Sequence, residues 1–406
     1  MKAAEQYVQL CGRVGNLSRS LTGVSIVDAY FGPPSLAPEK QAERTEPESI
    51  LQDIGSLIDI VKGSIRNELR REYLLGEIGS LQTVVEWLSG ADISYGQLVK
   101  RLFSIDMKAY PESVIDQQMQ RVSEAFAVFP GADVRDRVDR FMTTGELRGE
   151  PLRYLIEGEL QDKVSEVGRL FKERVFSKIG GRIRDNGVRY KAVTDKPWGG
   201  YNYYLGGFKS MNEFNVDHPM NREVSLSVIY HEYEHHVNNL CRERAYLKNR
   251  YAELSVVPLH TGRSVISEGT ADSAKEFLGI ADESPTATAM EVLSTLRRMV
   301  SINAAIMMND RGLGIEDVAP YIAERGLRTA DSAKATTDFF KPKTDDGRVN
   351  IWAPYVFTYH VGKTDFVMPT FDKAVERGLL ADFFKVLYLN PFSGSSVTWN
   401  IAFDWL

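Results

Sequence analysis

Apolar residues recur at helical spacing along most of this chain, and one stretch of a different kind interrupts them. Ile50, Ile54, Leu57, Ile58, Val61 and Ile65 form one such stripe. Residues three and four apart share a helix face, so this segment predicts a helix with one buried side. Thr45 and Glu48 stand as a capping box at its start, and Pro47 falls in the first turn, where a missing N–H costs least. The run before it, FGPPSLAP at 31–38, holds three prolines and a glycine and predicts a loop. Further helical patterns cover about 66–90, 94–105, 112–128, 133–143 and 150–177. Near residue 186 the character changes. Residues 187–193 and 201–216 are rich in aromatic and β-branched types, and Gly206 and Gly207 divide the second run, which predicts short strands with a hairpin. From about 221 the chain reads as helix again, apart from a loop at 341–347. The expected fold is mostly α, a large helical body with a small antiparallel β-sheet or hairpin. Its expected divisions are a helical region at 1–185, a hairpin and edge-strand segment at 186–220, and a second helical region at 221–406.

Composition narrows what such a fold does. With 43% hydrophobic and 26% charged residues, the chain is neither disordered nor collagenous nor of low complexity. Its 406 residues allow two or three domains or one large helical body. A net charge of −6 gives no electrostatic support for a nucleic-acid or anionic-membrane partner. No apolar run approaches the roughly 18 residues of a membrane helix. The N-terminal run MKAAEQYVQLCGRVGNLSRS lacks the apolar core of a signal peptide. Cys11 and Cys241 cannot build a disulfide framework for a chain this long, so a reduced, cytoplasmic compartment is expected.

The segment HEYEH at 231–235 carries chemistry. Residues i and i+4 lie one helical turn apart on one face, so His231 and His235 can reach one zinc ion. Glu232 projects beside them, where it can take a proton from a zinc-bound water. Val224 and Val228 fall on the face of the two histidines; Leu226, Ile229, Tyr233, Val237 and Leu240 form a second apolar stripe opposite. A helix apolar on two faces is expected to be buried on most sides. With 6 histidines and 55 acidic residues in the chain, chance supplies on the order of 0.01 such matches. His218 and His236 are close by in sequence, but His236 points roughly 100° away from His235 and is expected to pack rather than bind the same metal.

A catalytic zinc takes three protein ligands and leaves one position for water. SEGTADSA at 267–274 offers the third, Glu268, with Asp272 one turn on to accept the remaining N–H of a liganding histidine. Gly269, Ala271, Ser273 and Ala274 are small enough to let two helices approach closely there. A rival assignment takes Asp272 as the ligand, since Gly269-to-Asp272 is one residue short of the G-T-x-x-D pattern of the aspzincins.

HEYEH followed by an E-G-x-A-type helix resembles the gluzincin metallopeptidases, and the helical context resembles their thimet-type oligopeptidase and helical carboxypeptidase branch. The chain is also similar to an uncharacterised prokaryotic zinc-peptidase-like family through VDAYFGP at 27–33, KPWGGYNYY at 196–204, NVD at 215–217 and YHVGK at 359–363. One departure stands: that family places its second histidine two residues later, after Pro-Gly, whereas the spacing here is the plain H-E-x-x-H.

The resemblance implies a peptidase with one zinc per chain and Glu232 as general base. It also implies an oxyanion donor on a late helix, for which 352–363 offers Tyr359 first and His360 second. Tyr355 and Tyr359 share a face if Pro354 opens the helix. An extended peptide is expected to pair with an edge strand within 201–216, Gly206 and Gly207 allowing close backbone approach or simply turning the hairpin. Arg263 and Lys363 are the cations offered for a terminal carboxylate, as a carboxypeptidase requires. The alternatives are a zinc hydrolase of another amide and a helical scaffold with a structural or vestigial zinc. Gly362-Lys363-Thr364 is only half a P-loop, and GxGxxG, CxxC and GxSxG are missing from the sequence.

Overall fold

The computed structural model describes residues 2–41, 46–180, 183–196, 199–280 and 284–406. Helix α1 (Ala3–Thr22) leads into strand β1 (Val27–Tyr30). The proline-rich run after it holds the short 3-10 turns Pro34–Leu36 and Pro38–Lys40. Helix α2 (Pro47–Ser64) buries Ile50, Ile54, Leu57 and Val61, the stripe read from the sequence, with Pro47 in its first turn. Glu46 stands at its N-cap; the expected capping residue Thr45 lies outside the described residues.

Helices α3 (Glu68–Leu88), α4 (Tyr95–Phe103), α5 (Glu112–Ala125) and α6 (Val134–Thr143) stand where the patterns predict them. Asn67 and Ser94 start α3 and α4 by accepting the backbone N–H of Arg70 and Gln97, as polar N-caps do. After β2 (Glu146–Leu147) the pattern at 150–177 is a continuous helical rod. It comprises α7 (Glu150–Tyr154), α8 (Gln161–Phe171) and α9 (Ser177–Ile179), joined by the π-helical stretches Leu155–Leu160 and Lys172–Phe176.

Strands β3 (Val188–Val193), β4 (Gly200–Tyr204) and β5 (Ser210–Asn215) form one sheet in the order β3-β5-β4. The β4–β5 hairpin is antiparallel and turns at Gly206 and Gly207, whose φ values of 69° and 63° suit glycine. Strand β3 runs parallel to β5, so the sheet is mixed rather than wholly antiparallel. Strand β5 thus lies between its two neighbours. Strand β6 (Met220–Asn221) pairs antiparallel with β2.

Helix α10 (Arg222–Asn249) carries the HEYEH segment, and its N-cap Asn221 accepts the N–H of Glu223 and Val224. Strand β7 (Val256–Pro258) pairs antiparallel with β1. Helices α11 (Gly262–Asp272), α12 (Ala274–Phe277), α13 (Pro285–Asn309), α14 (Ile315–Arg325) and α15 (Ala330–Phe340) follow. The expected loop at 341–347 is present. Pro354 stands in a 3-10 turn that opens α16 (Val356–Val361). A π-helical stretch, Gly362–Val367, continues α16 into α17 (Met368–Glu376); α18 (Leu380–Leu389) and α19 (Trp399–Ala402) close the chain. No described helix is long and apolar enough to cross a membrane.

Two buried apolar clusters hold these elements, each fully buried Leu, Val, Ile or Phe contributing about 1.5–3 kcal/mol over an exposed one. The first draws on α1–α6 and α13–α15. The second draws on α7–α9, the sheet, α17–α19 and the stripe Ile229, Tyr233, Val237 and Leu240 of α10. Helix α11 lies on their boundary: Val265 belongs to the first and Ile266 to the second. The helices carrying the motif are thereby clamped from both sides.

Candidate metal centre

His231 and His235 face the same way from α10, one turn apart, with Nε2 atoms 3.1 Å from each other. Glu268 reaches them from α11, its Oε2 3.4 Å from His231 Nε2 and 3.5 Å from His235 Nε2. Among the described residues these three form an imidazole–carboxylate group whose ligand atoms all lie within 4.8 Å of one another. Zinc bonds of about 2.0–2.1 Å give a tetrahedron with edges of roughly 3.3 Å. The three separations fit those edges.

The surroundings fix which atoms point inward. His231 Nδ1 is 2.8 Å from Asp272 Oδ1, and Arg298 pairs with both oxygens of Asp272. Burial pushes the Asp272 carboxyl up, but Arg298 and His231 outweigh it and hold it below its usual range. An ionised Asp272 requires a proton on His231 Nδ1, so neutral His231 presents the Nε2 lone pair to the cluster. His235 Nδ1 is held likewise by Ser267 Oγ at 3.2 Å. Glu268 accepts the Tyr355 hydroxyl on Oε1 at 3.0 Å, while its buried Oε2 accepts no hydrogen bond among the described residues. Three lone-pair atoms thus converge, an arrangement that a proton or a cation must relieve. Burial opposes a proton on His231, yet Asp272 and Glu268 raise its pKa well above the ordinary value, a measure of how strongly the site attracts positive charge.

The approach of α11 depends on a backbone crossing. A Cβ on Gly269 would lie 2.4 Å from the Gly362 carbonyl carbon, so α11 meets the continuation of α16 glycine to glycine. Of the small residues singled out in the sequence, Gly269 is the one this crossing requires.

Glu232 is half-buried and makes no hydrogen bond to a described residue. Its charge acts on His235, Tyr359 and Tyr190. Tyr359 likewise lacks a hydrogen bond among the described residues; burial first, then Glu268, Asp272 and Glu232, hold its phenol well above the usual pKa and so protonated. Tyr355 and Tyr359 do share a face, their rings 5.7 Å apart.

No family model matches the sequence, and no curated protein matches it. Four chains of known structure do match. One, a putative lipoprotein from Colwellia psychrerythraea, superposes with a TM-score of 0.54 at 13% identity, over 89% of this chain and 70% of that one. A putative lipoprotein of unknown function from Shewanella oneidensis gives a TM-score of 0.45 at 12% identity, over 87% and 72%. The first likeness is one of fold alone.

The other residues singled out in the sequence lie around this cluster in different roles. Asp272 touches the far nitrogen of His231, so the assignment of Asp272 as third ligand does not fit the geometry. His360 packs edge-on against Tyr110, and burial, with Arg298 next, pushes its pKa down to about 4. Arg263 is buried and donates to Asn239 Oδ1 at 3.4 Å. Lys363 donates to the Asp272 carbonyl and pairs with Glu276, tying the α16 continuation to α12. Gly206 and Gly207 turn the hairpin, and Glu243 of α10 accepts the N–H of Gly207 and Phe208 and the Tyr204 hydroxyl. Strand β5 is paired on both sides, so within 201–216 the sheet edge belongs to β4.

Glu234 escaped the sequence reading, and His236, expected to pack, has partners that the sequence did not name. Glu234, inside the motif, accepts Thr270 and Tyr388 and braces α10 against α11 and α18. His236 bridges Ser210 and Asp185, a serine–histidine–aspartate order whose hydroxyl is shut away at 3% exposure and which pins the sheet to α10. No local spacing marks either role, because every partner comes from a distant element.

Proposed function

We propose that the protein is a zinc-dependent metallopeptidase with His231, His235 and Glu268 as zinc ligands. The observation that carries this reading is the convergence of their three lone-pair atoms at tetrahedral edge distances, beside a glutamate that has no structural partner among the described residues. A zinc ion held by these residues would supply a Lewis acid and lower the pKa of the attacking water to about 7. Glu232 takes the proton of the attacking water and passes it to the leaving amine. Tyr359 donates its O–H to the carbonyl oxygen as that oxygen gains charge. Asp272 holds the His231 tautomer and Tyr355 holds Glu268, so neither ligand must reorganise during the reaction. The β4 edge is where an extended peptide adds as a further strand.

The test is a peptide-library digest read by mass spectrometry, using wild type and Glu232→Gln at matched zinc content. Wild type is expected to cleave, and Glu232→Gln to keep zinc and lose about 10²–10⁴ of the rate. A zinc-loaded wild type that cleaves nothing contradicts the peptidase reading and favours a structural metal.

A further inference from the structure

Beside the cluster lies a cavity of about 450 Å³, between α13, α15 and α16 and against the first turn of α10. It shares Tyr359 with the proposed catalytic groups and Arg298 with Asp272. That volume suits one side chain or chain end of a substrate. Its walls are largely apolar, with Leu293, Phe339, Phe340 and Val356 among them. Its charged lining groups are three arginines, Arg297, Arg298 and Arg328, with no carboxylate among the lining residues.

The three arginines are not equivalent. Arg298 is neutralised by Asp272. Arg297 donates to the carbonyls of Gly326 and Leu327 beyond the end of α14 and to Met142 Sδ; Asp139, which does not line the cavity, raises its pKa by less than burial and Arg328 lower it. Arg328 donates to Ser332 Oγ at 3.2 Å, and its Nε–H is buried with no acceptor among the described residues. Burial pushes Arg328 below its usual pKa; burial and then the charge of Arg328 push Arg297 down to about 9. Two half-buried guanidinium groups crowded in a largely apolar wall, with no carboxylate among the lining residues, form an incomplete anion site, because a desolvated cation is stabilised by pairing.

We propose that this cavity binds a carboxylate of the substrate on Arg328, with Arg297 adding to the field. The guanidinium fork takes a carboxylate in bidentate fashion. Calling the ligand a substrate rests on the metallopeptidase reading; the carboxylate site itself does not. The site selects peptides that carry negative charge next to the cleaved bond, from either a terminal carboxylate or an Asp or Glu side chain.

Calorimetric titration of the purified 406-residue protein with 3-phenylpropionate and with its amide tests the site without any turnover. Wild type is expected to prefer the acid by about tenfold or more, Arg328→Gln to lose that preference and Arg328→Lys to recover part of it. Equal binding of acid and amide by wild type, or a preference that survives Arg328→Gln, overturns the proposal. The wild-type comparison decides even if a variant fails to fold. Paired peptides then separate the sources: loss of cleavage on C-terminal amidation assigns the chain end, and loss on Glu-to-Gln exchange assigns the side chain. Cleavage indifferent to both exchanges overturns the proposal. Acid preference with no cleavage of any peptide leaves the carboxylate site standing and removes the peptidase reading.

Discussion

Gly269→Ala tests whether the metal cluster depends on the backbone crossing beneath it. The added Cβ would lie 2.4 Å from the Gly362 carbonyl carbon and 2.5 Å from its oxygen. Carbon atoms in contact sit about 3.5–4.0 Å apart, so the two backbones must part by roughly 1 Å. Neither atom belongs to a flexible side chain, so no rotamer change relieves the clash. Overpacking of this kind costs about 1–3 kcal/mol. Alanine in a helix interior returns about 1 kcal/mol over glycine, and the net result is a loss. Glu268 adjoins the crossing, and ligand distances tolerate only about 0.2 Å, so zinc affinity should fall about tenfold or more. Gly55 of α2 is the control: it is exposed with nothing within 4 Å of its Cβ position, and Gly55→Ala should gain about 0.5–1 kcal/mol. Thermal unfolding and competition against a fluorescent zinc chelator read both effects. A Gly269→Ala protein that melts at or above wild type and holds zinc equally well refutes the crossing as the device that positions Glu268.

Other perturbations separate the remaining roles. Asp272→Asn should lower zinc affinity by about 10–100-fold, since it orients His231 without binding metal; if Asp272→Asn loses the metal while Glu268→Gln keeps it, the ligand assignment is reversed. Tyr359→Phe should retain zinc and lower kcat by about 10²–10³ with little change in KM, whereas Tyr355→Phe should loosen Glu268 and act on zinc affinity; near-normal kcat in Tyr359→Phe removes it as the oxyanion donor. Burial pushes His260 down to about 4, and its Nδ1 is buried without a partner among the described residues. Its folded pKa is therefore below the unfolded value of about 6.5, so its contribution is present above that pH and is lost as pH falls toward 4, by up to about 1.4 kcal/mol per unit. Urea unfolding across that window should show the slope, to which His360, also pushed down to about 4, adds, and His260→Gln should lower it; an unchanged slope contradicts the assignment.

The helices were legible because their stripes are local: Ile50 through Val61, with Pro47 in the first turn, need no distant partner to be recognised. The H-E-x-x-H pair was legible for the same reason, since one helix face supplies both imidazoles and Glu232. Glu268 could be named from the sequence, but not its approach, which depends on Gly362 some ninety residues on. The parallel pairing of β3 was hidden because strand order is set by where the hairpin inserts, not by the composition of the strands. Arg263 and Lys363 were plausible cations from their types alone; the fold engages them with Asn239 and Glu276. The arginine-lined cavity has no local signature, as α13, α15, α16 and the segment after α14 each contribute to it.

The zinc content of protein purified without chelator tests the central claim most directly. The ligand set of two imidazoles and a carboxylate suits that ion, so elemental analysis should find about one zinc per chain in wild type and little in His235→Ala. Less than about a tenth of an equivalent in wild type, with no uptake on titration, contradicts it.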